Sequence, residues 1–392
     1  MALDLARQLV LRWPEPDAAH VSLLRQADVE AVVLDAPHAG FEKACAAAGI
    51  VCTAGLTLPS GGLWPGLRNA GVRGRGADDT ASASREPWID SNLHLYGMRR
   101  LLRPSQPALL AYRAPASQMV PHETVELALA EARLSGGNCV LSLPARYREQ
   151  LLAGEEKAVE AWQSLGRAAR WLKENAVLCG RPAMPSIMVL VEQGGGTVEI
   201  AHLLYRRHAS PMLAAVVPRP DPQRLLALVA AGLKPPAAAL RREIFAHAEA
   251  GSTVVMDWAH GLSQKPVKQD TDRDWFSLGK GNVVGYREPV IDPSEFALDV
   301  IDIVTHRRRP VRLWNALSCI GLASEGQLTV INYGSAAQQE IQARIQGHYY
   351  SATLLRPEAP PVELNTARRG STTEVFLPGI GRFAAVRFRG RA

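Results

Sequence analysis

Hydrophobic and polar positions follow two rhythms along this chain, and the changeover lies near Arg309. Upstream, short apolar runs alternate with amphipathic stretches. Residues 8–12 (QLVLR), 31–35 (AVVLD) and 50–54 (IVCTA) read as strands, each a short, mostly apolar run bounded by turn residues. Between them Asp17 is placed to cap a helix reaching Ala27, and a second helix over 41–48 stops at Gly49. That order implies parallel pairing with right-handed crossovers. Strands over 108–113 (ALLAYR) and 138–143 (NCVLSL) continue it, with helices over 93–102, 123–134 and 155–175. Repeated βα units predict a (β/α) barrel-like domain. The weakly patterned stretch 55–88 either hides further strands or leaves the barrel reduced.

After Gly180-Arg181-Pro182 the alternation restarts. Strands are expected at 186–191, 212–217, 253–257 and 279–285, and helices at 198–207, 223–231, 240–250 and 294–305. This predicts a doubly wound α/β unit. From Val311 onward the pattern turns to short β-rich runs at 328–333, 351–355, 373–377 and 382–387, split by Gly, Pro and Asn turns. Strands at such spacing predict a β-sandwich. The expected domains are therefore 1–180, 181–309 and 310–392, an α/β body followed by a β-module.

Composition narrows the classes. Of 392 residues, 47% are hydrophobic and 21% charged, which is globular and argues against disorder. The net charge of +6 comes from scattered Arg, with one dense run at His306-Arg307-Arg308-Arg309. No interleaved basic and aromatic pattern of the RNA-binding kind occurs in the last third, so nucleic acid is not an expected partner. No apolar run approaches the roughly 20 residues that span a bilayer, so no membrane partner is expected. Residues 1–11 are too short and too charged for a signal peptide. Location stays open between cytoplasm and export with a leader removed. The five cysteines form no CxxC pair, and neither a metal nor a cofactor is expected.

Three segments of the middle third carry a likeness: SIMVLVEQGG at 186–195, IFAHAEAGSTVVMDW at 244–258 and SLGKGNVVGYREPV at 277–290. HLLYRRHASP at 202–211 belongs with them. The last third adds LTVINYGS at 328–335, YYSATLLRPE at 349–358 and STTEVFLPGIGRFAAVRF at 371–388. In content and order these resemble clan-A glycoside hydrolases of the family-42 β-galactosidase type. The resemblance implies a catalytic barrel, a glutamine-amidotransferase-like domain without amidotransferase activity, and a small β-domain. It also implies a carbohydrate substrate or ligand. The alternative is a non-catalytic glycan-binding or assembly protein on the same scaffold, in which the middle domain mediates oligomerisation, and a homo-oligomer is expected. The chain departs from the family in its short first segment and in lacking the Asn-Glu pair at a barrel strand end. It has no Cys between Gly180 and Arg309, so the middle domain has no thiol nucleophile.

Glycoside hydrolysis needs two carboxyl groups flanking the bond, and in a barrel they sit at strand C-termini. Asp35, directly after AVVL, and Asp90, in WIDSN, are the candidates for acid/base and nucleophile. Asp35 reads equally as a loop cap or as an ion-pair partner of a barrel Arg, and Asp90 or Ser91 as a helix cap. Arg12, Trp13, Trp88, Asn92, Tyr112 and Arg113 lie where they would line the same pocket, with the arginines suited to an anionic sugar. Their alternative is internal pairing with Asp35 or Asp90. Asp78-Asp79, Arg73-Gly74-Arg75-Gly76 and Gly194-Gly195-Gly196 read as loops, and Trp162 and Trp171 as core or interdomain contacts.

Overall fold

A computed structural model describes residues 3–58, 61–68, 88–113, 120–184, 186–192, 196–234, 236–257, 262, 264–290, 292–304 and 309–391. Asp78, Asp79, residues 73–76, Gly194, Gly195, Trp258, residues 306–308 and Glu86, an acid that could share the role of Asp90, lie outside that set.

The first sheet is built from β1 (Val10–Arg12), β2 (Ala31–Leu34) and β3 (Val51–Ala54), then, beyond a hairpin of β4 (Gly66–Arg68) and β5 (Trp88–Asp90), from β6 (Leu109–Tyr112) and β7 (Asn138–Ser142). All five sheet strands are parallel, in the order β3-β2-β1-β7-β6. The chain therefore re-enters from the far edge and closes its last strand onto its first. A barrel has that order; an ordinary open sheet would add β6 beside β1 first. Among the described residues the arc stays open between β3 and β6. One face of it packs Leu9, Leu11, Leu34, Tyr112 and Leu141 against helices Thr124–Leu134 and Glu156–Glu174. The other carries Val10, Ala31, Val33, Leu109, Ala111 and Val140, covered by Leu3, Leu5, Leu56 and Leu58.

The second sheet holds β8 (Ile187–Leu190), β9 (Met212–Ala214), β10 (Ala227–Ala230), β11 (Thr253–Met256), β12 (Lys268–Gln269), β13 (Arg273–Leu278) and β14 (Gly281–Tyr286). Its parallel strands run β9-β8-β10-β11-β14, the doubly wound order 2-1-3-4-5, with β13 and β12 added antiparallel at one edge. The helix expected over 223–231 is a strand, β10. Its four residues are fully buried between β8 and β11, and a short apolar run carries no period that separates strand from helix. Gly281 shows how closely the layers approach: a Cβ there would lie 2.1 Å from the Ser252 carbonyl oxygen.

The remaining strands are β15 (Val311–Trp314), β16 (Cys319–Ser324), β17 (Gln327–Asn332), β18 (Gln338–Gln346), β19 (Tyr349–Arg356), β20 (Ala359–Leu364), β21 (Thr366–Arg369), β22 (Thr372–Ile380) and β23 (Phe383–Arg391). They form two antiparallel sheets, β15-β18-β22-β21 and β16-β17-β23-β19-β20, enclosing one core. This is the expected β-sandwich. Trp162 is fully buried in the first unit and donates to the Leu23 carbonyl at 2.8 Å. Trp171 meets Phe383 of the sandwich edge-on, 5.4 Å between ring centroids. Among the described residues no helix is long and apolar enough to cross a membrane.

Candidate functional site

The carboxyl edge of the first sheet presents Arg12 and Asp35 from adjacent strands. The Arg12 guanidinium holds one Asp35 oxygen at 2.6 and 2.7 Å, with the Asp35 side chain half exposed. Trp13 is enclosed, its indole directed at His20 at 3.4 Å. Trp88 donates to Asp90 at 3.1 Å and lies under the Arg206 guanidinium at 3.9 Å, so this pair faces helix Thr197–Arg206 of the second unit. Arg113 is exposed. Trp13, Asn92 and Tyr112 have no more than 1% of their surface exposed and hold the fold together rather than facing solvent. The eight candidates thus divide into an exposed ion pair, a pair facing helix Thr197–Arg206, an exposed Arg and a buried set.

Two of the buried set, Asn92 and Tyr112, belong to a network that the sequence did not announce, the Asn92 amide donating to the Tyr112 hydroxyl at 3.2 Å. The centre of the network is Glu131, fully enclosed on helix Thr124–Leu134. One Glu131 oxygen accepts the Asn92 backbone N–H at 2.8 Å and the Tyr333 hydroxyl at 2.7 Å; the other accepts the Asn92 side-chain amide at 3.0 Å. Ser91 Oγ lies 3.2 Å from Tyr333, and the Tyr112 and Tyr96 hydroxyls are 3.1 Å apart. Burial pushes the Glu131 carboxyl up, and the hydrogen bonds from Asn92, Tyr333 and Ser91 pull it back. Tyr333 comes from the end of β17, so the network fastens the sandwich to the first unit.

A second meeting of the same two units is open. A groove of about 740 Å³ runs between helices Thr124–Leu134 and Glu156–Glu174 on one side and the sandwich on the other. None of the eight sequence candidates lines it. Its acids are Glu123, Glu126, Glu160 and Glu358, and its cations Lys157, Arg167, Arg356 and Arg382. Glu160, Gln163, Ser164 and Arg167 form one stripe because residues three and four apart share a helix face. Across from them, the β19–β20 turn carries Glu358 at a left-handed φ of 61°, and Glu358 pairs with Arg167. Arg382 reaches Glu123 at 3.8 Å and bonds the Gly334 carbonyl, while Arg356 bonds the Gly379 carbonyl at 2.7 Å. Glu126 accepts the Ser164 hydroxyl at 2.7 Å. Burial pushes its carboxyl up, opposed by that hydrogen bond and by Arg382 and Arg167. Glu160 and Lys157 are exposed and make no ion pair among the described residues.

A smaller cavity of about 60 Å³ lies where the three units meet, lined by Arg100, Tyr205, Ser210 and Gln327 among others. Among the described residues no cluster of three or more His, Cys, Asp or Glu is arranged to hold a metal. Burial pushes the Cys45, Cys139 and Cys319 thiols up to about 12, which leaves them protonated and unreactive at neutral pH.

No protein-family description matches the sequence, and no curated protein matches it. Solved structures do align. A catalytic mutant of a GH42 β-galactosidase from G. stearothermophilus is 12% identical over 78% of this chain and 58% of its own, at a TM-score of 0.46. A β-galactosidase from Bacillus circulans sp. alkalophilus is 10% identical over 98% of this chain and 63% of its own, at 0.49. An α-L-fucosidase from Paenibacillus thiaminolyticus is 9% identical over 95% of this chain and 80% of its own, also at 0.49. This chain spans less than two thirds of the length of both β-galactosidases. These three likenesses are of layout, each at a TM-score below 0.5.

Proposed function

We propose that this protein binds a carbohydrate on a glycoside-hydrolase-like scaffold, with the ligand in the groove between helix Glu156–Glu174 and the sandwich. The observation that carries the reading is the groove itself. Its volume of about 740 Å³ suits an oligosaccharide, and it brings four carboxylates and four cations into one cleft. Planar carboxylates accept from sugar hydroxyls, and guanidinium forks donate to hydroxyl or acidic groups. Binding rather than bond cleavage is the assigned role. In this reading the units 1–180, 181–309 and 310–392 are domains. The middle one is amidotransferase-like without a nucleophile, and serves assembly into a homo-oligomer.

Calorimetric titration with neutral, uronic and sulfated oligosaccharides tests this. Saturable binding to at least one class, weakened roughly tenfold or more by Glu160→Gln and by Arg382→Ala, is the expected result. Absence of binding across the panel, or binding indifferent to both substitutions, would remove the groove from consideration.

Asp35 favours a second reading, because it follows β2 directly and stays half exposed at the edge where barrel chemistry belongs. Here Asp35 and Asp90 are the proposed acid/base and nucleophile, with Arg12, Trp88 and Arg113 about the ligand. A hydrolysis screen over the same panel decides it. Turnover abolished by Asp35→Asn or Asp90→Asn would assign the site; turnover untouched by both would withdraw it.

A further inference from the structure

The outer face of sheet β15-β18-β22-β21 lies apart from the groove. Strand register sets Trp314, Gln342 and Phe376 in one row across three neighbouring strands. The next row is Arg312, Arg344 and Glu374. Val311, Leu313, Ile341, Ala343, Val375 and Leu377 alternate with these residues and are buried in the sandwich, so both rows point outward. Phe376 is 54% exposed. Trp314 and Phe376 stand two strands apart, about 10 Å, with an amide between them.

Arginines outnumber carboxylates in these rows. The Arg312 and Arg344 guanidinium carbons lie 4.7 and 5.0 Å from the Trp314 ring centroid. Arg369 reaches Glu374 from β21 at 3.1 Å, and Arg344 binds the other oxygen of the same carboxylate. Arg344 and Arg369 thus share the Glu374 carboxylate, while Arg312 makes no ion pair among the described residues. Aromatic rings separated by hydrogen-bonding side chains are not the continuous apolar patch that a protein partner covers. They offer flat surfaces for stacking, with donors between them.

We propose that this face binds an acidic oligosaccharide, bearing uronate or sulfate groups. Two of its rings lie on Trp314 and Phe376, and its acidic groups lie against Arg312 and Arg344. Gln342 meets the hydroxyls of the ring between. The assignment stands on the sheet register and charge alone and does not rest on the groove reading.

The test is a titration of the full chain, followed by Trp fluorescence and calorimetry. The probes are an oligogalacturonate hexamer, a sulfated hexasaccharide, a neutral cello-oligosaccharide of equal length, and single-stranded oligothymidylate. Binding of an acidic hexamer roughly tenfold or more tighter than the neutral one, weakened about tenfold by Trp314→Ala, Phe376→Ala or Arg312→Gln, is expected. Which acidic hexamer binds tells uronate from sulfate. Phe376 and Arg312 are outward-facing and outside the Glu374 ion pairs, so these two variants keep the test valid if Trp314→Ala fails to fold; circular dichroism checks each. Equal affinity for the neutral hexamer, affinity unchanged in Phe376→Ala and Arg312→Gln, or tighter binding of oligothymidylate would overturn the proposal. The groove substitutions Glu160→Gln and Arg382→Ala read a different surface, so the two proposals fail separately.

Discussion

Helix Thr124–Leu134 meets the β-sandwich twice, and its two ends do opposite things with the same residue type. At its C-terminal half Glu131 is sealed, with both oxygens matched by donors from Asn92 and Tyr333. At its N-terminal half Glu123 and Glu126 open onto a groove lined by arginines. A buried carboxyl with both oxygens committed can only fasten, because losing a partner leaves a buried polar group unsatisfied. Carboxylates in an open cleft can trade water for a ligand at small cost. Enclosure, more than residue identity, separates the structural end from the proposed binding end.

The contrast breaks most severely at Glu131. Glu131→Ala leaves the Asn92 and Tyr333 donors unmatched in the interior, and a loss of about 3 kcal/mol or more is expected in urea denaturation. Tyr333→Phe removes one of those donors and leaves Asn92 in place, which should cost about 1–2 kcal/mol. Similar losses from the two variants would mean that Glu131 is not the centre of the network.

A third junction sharpens the comparison through pH. His208 of the second unit accepts the Gly321 N–H of the sandwich at 3.1 Å, and burial pushes its pKa down to about 4. The unfolded histidine, near 6.5, takes up its proton first. Stability from this group is therefore present above about pH 6.5 and lost as pH falls toward about 4. Wild type should lose about 1 kcal/mol per pH unit more than His208→Asn between pH 6 and 4.5. Parallel pH profiles for the two proteins would refute the buried neutral imidazole.

The smallest effect belongs to the groove. Glu358→Gly removes an exposed ion pair with Arg167, worth about 0–1 kcal/mol, and relieves a left-handed backbone that costs a side-chain-bearing residue about 1–2 kcal/mol. The melting temperature should move by no more than a few degrees. A large loss would mark the groove as a structural seam like the one at Glu131.

The parallel strands were legible because each is a short apolar run between turn residues. Expectations at 31–35 and 138–143 meet β2 and β7 within a residue or two. The β10 strand was not legible, since full burial on both faces erases the alternation that identifies a strand. Strand β18 hid for another reason: QQEIQARIQ looks polar, yet Ile341, Ala343 and Ile345 alternate into the sandwich core. The candidate site was less legible than the fold. Arg12 and Asp35 do share an edge, and Trp88 and Asp90 do touch. Glu160, Gln163 and Arg167, however, read in sequence as the solvated stripe of an amphipathic helix. Only the return of the chain at Arg356–Glu358 and Arg382 turns that stripe into a groove wall. Glu131 gave no signal either, because its partners are 39 and 202 positions away.

Hydrogen-exchange mapping with and without saturating oligosaccharide tests the central claim most directly. Ligand-dependent protection should fall on residues 123–126, 157–167, 356–359 and 381–383, the walls of the groove. Protection confined to the segments after β1 and β2, with the groove unchanged, would contradict the account and return the site to the edge at Arg12 and Asp35.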